Sequence, residues 1–373
     1  MNASAATMMS TVSAPDRSAT PIHAHLWAKA AGADTRLPAI GSRVMRSLGV
    51  RRSVMVSDYA TRWIFLGGCA LVIGLWLFAL GVAVPFAPIL HKLPFPGVLL
   101  VLWAVLHCVP RYRVPMAGCA DLCLSGIQLC FILLVLIPLP CLAATIGFPL
   151  LDARLAQLDA TLGFDWDAAA RWVSERPLID LVLQIAYNTM PFQAGVVLLI
   201  GSLKRPGERN SEFMWLFMVS MLITCAIFAF TPALGKIGHM GTRYLDMLTE
   251  LRSGGWLVMD FEHPEGIVTF PSFHTTVAIL LTYLVRRERW ALAVFAPLNM
   301  LMILSTPTVG GHYLVDLFGG AAVAWVSIII VGALRRRLAS RGVVGTSVST
   351  RLASPRAIGA SPKHLVRAES KSA

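Results

Sequence analysis

The chain has 373 residues, of which 56% are hydrophobic and only 14% charged, and its mean hydropathy is +0.67. That balance excludes an ordinary soluble domain and points to an all-α, polytopic membrane helix bundle. The formal net charge of +12 sits in the two tails and in short loops, with no basic stripe interleaved with aromatics, so it reads as positive-inside topology and no nucleic-acid partner is expected.

Residues 1–60 are rich in Ala, Ser and Thr, with scattered arginines and no apolar run long enough for a signal-peptide core; they read as a disordered cytoplasmic tail. About eight apolar segments of bilayer-spanning length follow, near 63–84, 95–109, 122–148, 178–200, 213–231, 268–285, 290–306 and 312–334. The first two, within 61–118, stand apart as accessory helices, and 119–337 forms a six-helix core. Residues 338–373 are basic, rich in Ser, Arg and Gly, and read as a second disordered tail. Most cysteines (Cys69, Cys108, Cys130, Cys141 and Cys225) lie in apolar segments, Cys119 and Cys123 sit at a span entrance, and no zinc-type spacing occurs, so no metal is expected.

The loops sort by charge. Arg111 and Arg113, Lys204 to Arg209, Arg286 to Arg289 and Arg335 to Arg337 mark every second loop and the C-terminal tail. The intervening loops carry Asp152, Asp159, Asp165, Asp167 and Glu175, then Asp246, Glu250, Asp260, Glu262 and Glu265. By the positive-inside rule both tails are cytoplasmic. The outer loop 151–177 has apolar residues at helical spacing between carboxylates and arginines, which predicts one helix lying in the interface as a structural belt.

Chemistry concentrates where two spans open toward the outer side. Ser305–Gly320 reads STPTVGGHYLVDLFGG, with His312 and Asp316 four residues apart, a spacing that puts both on one helix face. A carboxylate holding one ring nitrogen leaves the other free to attack or to take a proton; alone, the pair also fits a solvated helix end. Gly310 and Gly311 leave that entrance open to close backbone approach by a ligand. Gly266–Thr276 reads GIVTFPSFHTT. There Pro271 suits the first turn of a helix, and the N–H groups of Ser272, Phe273 and His274 would face an anion at the helix start. Lys236 and Arg243, after the fifth span, would neutralise phosphate oxygens, or are ordinary loop charges.

These residues resemble the type 2 phosphatidic acid phosphatase superfamily of lipid phosphatases and phosphotransferases. PSFH at 271–274 and S-x6-H-x3-D at 305–316 are similar to its second and third signatures in order, spacing and placement, from about the third span to the eighth. The GIVTFPSFH context most resembles the branch with inositol-phosphorylceramide synthases, the inositolphosphotransferases, and their bacterial relatives. The resemblance implies His312 as nucleophile, Asp316 as its orienter, His274 as the acid that protonates the leaving group, and Ser272 as a phosphate ligand, with Lys236 and Arg243 as the remnant of its first signature; the backbone at Phe273 and Gly311 is expected, from the helix entrances themselves, to meet phosphate as well. Three positions depart from the pattern: Phe273 replaces a glycine, Thr306 replaces an arginine, and Lys236-x6-Arg243 is followed by Tyr244 where proline is usual.

The expectation is a metal-independent and cofactor-free enzyme that forms a phosphohistidine on a lipid phosphate or phospholipid at the periplasmic face of a bacterial inner membrane. It resolves that intermediate with water or with a hydroxyl acceptor, leaning to inositolphosphotransferase-like head-group transfer. Alternatives are a simple phosphatidate or prenyl-diphosphate phosphatase and, from other classes, a membrane transporter or a haem protein. The sequence fixes no oligomeric state.

Overall fold

The computed structural model describes residues 38–204, 206–236, 243–255, 258, 259, 261 and 267–352. The chain divides into two units, Met1–Arg51 and Arg52–Ala373, and the second holds the helix bundle. Among the described residues the secondary structure is helical apart from one isolated bridge between Ala83 and Val258. The helices are α1 (Pro38–Ala79), α2 (Phe86–Lys92), α3 (Pro94–Cys108), α4 (Pro110–Arg113), α5 (Ala117–Leu136), α6 (Leu139–Ala144), α7 (Asp152–Thr161) and α8 (Trp166–Ser174). They continue as α9 (Pro177–Asn188), α10 (Met190–Lys204), α11 (Glu208–Phe230), α12 (Arg243–Ser253), α13 (Phe273–Val285), α14 (Arg289–Val309) and α15 (Leu314–Leu352).

The all-α polytopic bundle is as expected, with a different count of spans. Among the described residues six stretches are long and apolar enough to cross a membrane: Asp58–Ala79, Phe86–Cys108, Ala117–Ala144, Glu208–Phe230, Arg289–Val309 and Leu314–Leu338. The pair α9 and α10 makes a seventh only as a span bent by 48°, because Pro191 follows the break at Thr189 and cannot donate back into the preceding turn. Helix α13 has 13 residues, a rise of about 20 Å against a hydrocarbon core of about 30 Å. It starts inside the bundle, so the sixth expected span, 268–285, is a short one.

Three further expectations change. The helix of the first span begins at Pro38, so 38–60 is helical backbone where a tail was expected; Pro38 suits a first turn and no proline follows to interrupt it. The last span likewise continues as helix to Leu352. The remainder of both tails, 1–37 and 353–373, lies outside the described residues. The belt 151–177 is two helices followed by the start of α9: Gly163 takes φ +74, a left-handed conformation that glycine adopts freely, and the Asp165 carboxylate caps α8 by accepting from Ala168 N at 3.0 Å.

Helix α13 packs on α14 and α15, α9 on α14, and α11 on α15. The core between them includes Met214, Leu216, Leu281, Val285 and Ala324. Outer faces of α1 and α3 leave Ile64, Phe78, Val98 and Val101 exposed, as suits lipid. Association therefore rests on close packing more than on escape from water. At Gly319 and Gly320 this is most visible: an added Cβ on Gly319 would lie 2.9 Å from the Phe270 ring, and one on Gly320 would overlap Ser272 O. The two glycines let α15 lie directly against the entry to α13.

Candidate active site

The site is built where α13 and α15 begin. Helix α14 ends with Gly310 N and His312 N both donating to Thr306 O, at 3.0 and 3.3 Å. Gly311 turns the chain at φ +65, the left-handed cap that glycine favours, and its carbonyl accepts from Lys236 N at 2.8 Å. The crossing there is tight, since a Cβ on Gly235 would lie 2.5 Å from Gly311 O. His312 is thus held between two loops.

The pair expected from i,i+4 spacing forms: His312 Nδ1 lies 3.2 Å from Asp316 Oδ2, both side chains being buried. The same Oδ2 accepts from Tyr313 N at 2.9 Å. A carboxylate facing Nδ1 sets that nitrogen as the N–H and leaves Nε2 with a lone pair. Asp316 also holds the neighbouring helix, because its carbonyl accepts from Ser272 N at 3.0 Å.

That last bond corrects the expected anion cradle. Ser272 N is taken up by Asp316 and does not face a ligand, Pro271 lies before the helix instead of in its first turn, and Ser272 is the N-cap, accepting from Thr275 N at 3.3 Å. The cap uses an acceptor position of the hydroxyl and leaves its O–H to donate. The backbone N–H groups of Phe273 and His274 find no acceptor among the described residues. The Phe273 ring does not reach a phosphate position: it meets Phe217 edge-on at 5.8 Å between centroids and packs into the core. What this residue can offer an anion is its backbone.

His274, half-buried on the first turn of α13, stacks on Tyr187 at 4.0 Å between ring centroids and 18° between planes. The Tyr187 hydroxyl and His312 Cδ2 each lie 2.9 Å from the point where a Cβ on Gly310 would sit. Both histidines are therefore brought to one end of the bundle, joined through Tyr187.

Lys236 reaches the site by its backbone. Its ammonium lies 5.4 Å from the Trp166 ring centre and 5.9 Å from that of Tyr313. It borders a cleft of about 450 Å³ lined by Asp152, Trp166, Asp167, Leu234, Lys236 and Tyr313, beside the His312 loop. Arg243 opens α12, and its side chain lies outside the described residues. Thr306, at the position where the resembled pattern has arginine, is fully buried and donates to Ile303 O at 2.7 Å.

The residues not anticipated come chiefly from α7 and α8. Asp159, buried, accepts from Leu314 N at 2.8 Å and Val315 N at 3.0 Å, capping α15 from another helix. Asp152 accepts from Leu234 N at 3.0 Å, Gly235 N at 2.9 Å and the Tyr313 hydroxyl at 3.2 Å. Burial, with Asp152 beside it, pushes the Tyr313 phenol above its usual range, so it remains a donor. Trp166 Nε1 donates to Pro307 O at 2.7 Å. The signal was in the spacing: Asp152, Leu155 and Asp159 recur at i, i+3 and i+7, one face of α7, with a buried leucine between two carboxylates.

Among the described residues no group of three or more His, Cys, Asp or Glu side chains is placed to hold a metal ion. Neither a curated protein nor a solved structure matches the chain. Residues 153–330 match the family model of the PAP2 superfamily. That stretch contains both histidines, Asp316, the Ser272 cap and Lys236, and over it the chain is similar to the PAP2 superfamily.

Proposed function

We propose that the protein transfers a phosphoryl or phosphodiester group from a lipid through a histidine-bound intermediate. The observation that carries this is the His312–Asp316 pair, 3.2 Å apart and buried, set against a second histidine on the adjoining helix. In the first step the Nε2 lone pair of His312 attacks phosphorus, the bond from phosphorus to the leaving oxygen breaks, and His274 gives that oxygen its proton. The imidazolium that forms is stabilised by Asp316. In the second step a hydroxyl attacks the phosphohistidine, His274 takes its proton, and His312 leaves as a neutral ring.

Charge on the transferring group is met by the N–H groups at the start of α13, with their helix dipole, and by Lys236 at the cleft edge. The pattern of loop charges supports a site on the outer face of the membrane, with both tails cytoplasmic. The acceptor leans to a hydroxyl other than water, in the manner of inositolphosphotransferases, because the cation of the resembled phosphatase pattern is replaced by buried Thr306; water gives the simple phosphatase instead.

The test uses membranes carrying the full chain and a labelled phospholipid donor, with and without added polyol or lipid hydroxyls, scoring free phosphate against new phospholipid. His312→Ala and His274→Ala proteins should insert and fold yet lose turnover, His312→Ala by about 10⁴-fold or more and His274→Ala by about 10²–10⁴-fold. Turnover retained in His312→Ala would overturn the reading.

A further inference from the structure

We propose that Tyr187 is a positioning residue, which fixes the ring of His274 for proton exchange with the leaving and entering oxygens. The inference rests on the reading of His274 as the acid and base.

The two histidines are held in different ways. His312 has a carboxylate on Nδ1 and a tight backbone on both sides. Among the described residues no hydrogen bond holds the His274 ring; its close neighbour is the Tyr187 ring, parallel within 18° at 4.0 Å. A proton donor has to sit within hydrogen-bond reach of one oxygen atom, and an imidazole on a helix start turns about two side-chain bonds. A flat aromatic face restricts the second of these.

Tyr187 is itself well fixed. It lies in the last turn of α9, which ends at Asn188 before the 48° bend, and α9 packs on α14. Its hydroxyl and the His312 ring both close around the position a Gly310 side chain would take, each 2.9 Å from it. An unbent span would carry the chain past this point; the break after Asn188 lets the last turn of α9 end against the two histidines. One side chain thereby sets the spacing of nucleophile and acid.

Leaving-group dependence separates this role from simple packing. A p-nitrophenolate leaves without protonation, whereas an alkoxide needs the acid. The experiment follows first-turnover release from a matched pair of phosphate esters, one with a p-nitrophenyl and one with a primary alkyl leaving group. It uses the full-length protein and its Tyr187→Phe, Tyr187→Met, His274→Ala and His312→Ala forms. Tyr187→Met should lose about tenfold or more in kcat with the alkyl ester and less than about threefold with the p-nitrophenyl ester, with KM unchanged. Tyr187→Phe should restore both rates, and His274→Ala should show the same signature enlarged. Equal losses with the two esters, or no loss, would overturn the role of Tyr187. Should Tyr187→Met fail to insert, Tyr187→Leu carries the same test. Turnover in His312→Ala, or a His274→Ala protein indifferent to the leaving group, would instead sink the underlying assignment of the two histidines.

Discussion

The two ends of α13 and α15 use the same kinds of residue to opposite effect. At the far end, 12 or more residues along each helix from the histidines, acids are matched with guanidinium groups: Glu212 meets Arg286 at 3.0 Å and Arg335 at 3.3 Å, and Arg209 meets Glu288 at 2.9 Å. At the site end, Asp152, Asp159 and Asp316 accept chiefly from backbone N–H groups of Leu234, Gly235, Leu314, Val315 and Tyr313. A guanidinium partner neutralises a carboxylate, while backbone donors fix its position and leave its charge available. One oxygen of Asp316 is buried without a partner among the described residues. The far end closes its charges; the site end holds one beside the His312 ring, as the proposed mechanism requires.

The sharpest way to break this contrast is Asp316→Asn. The amide oxygen can still accept from Tyr313 N, so the thermal midpoint in detergent should change little. That oxygen also still faces Nδ1, but a neutral amide cannot stabilise an imidazolium at His312 as the carboxylate would. The expected loss is about 10²–10⁴-fold in kcat with KM nearly constant. A loss below about threefold would mean that the carboxylate here is as structural as Glu212.

Gly320→Ala should act next most strongly. The added methyl would overlap Ser272 O and lie 3.0 Å from Thr275 Cβ, and in a well-packed interior such overpacking costs about 1–3 kcal/mol. Moving Ser272 also disturbs its bond to Asp316 O. Stability and kcat should therefore fall together, read from a thermal midpoint and a turnover assay on the same preparation. At the far end of the same helix an added methyl on Gly332 would meet only the Arg336 Nη1, at 3.5 Å. An unchanged kcat in a folded Gly320→Ala protein would show that the site does not depend on this crossing.

How much of this was legible in the sequence follows from the range of each interaction. The spans declare themselves by hydropathy over a local window, and His312 and Asp316 by a four-residue spacing, because both signals lie within one helix. The bend at Thr189 was also local, marked by Pro191, but inside an apolar run it reads as an uninterrupted span. The Asp159 cap joins residues 155 positions apart, and no pattern within α7 names α15 as its partner. Ser272 N was misjudged for the same reason: a helix start offers free N–H groups until another chain segment takes one, and here Asp316 O does. The stacking of Tyr187 on His274 depends on the bend and on α9 packing against α14, so it appears only in three dimensions.

The smallest effect should come from the far end, with Glu212→Gln. Its carboxylate serves Arg286 and Arg335, whose side chains are 30% and 27% exposed, so water already shares in solvating the pair and the loss is about 1 kcal/mol or less. Gln still accepts one hydrogen bond from either guanidinium. The helices keep their packing through Leu281, Val285 and Ala324 in the core, and Arg286 lies about 18 Å along α13 from His274 by helical rise. Turnover with either kind of acceptor should match the unsubstituted protein, while the thermal midpoint drops by a few degrees and becomes less sensitive to salt. A large fall in kcat without a fall in stability would mean that the ion pairs of the far end control the histidines through α13 and α15, and that the two ends are coupled and not divided in their tasks.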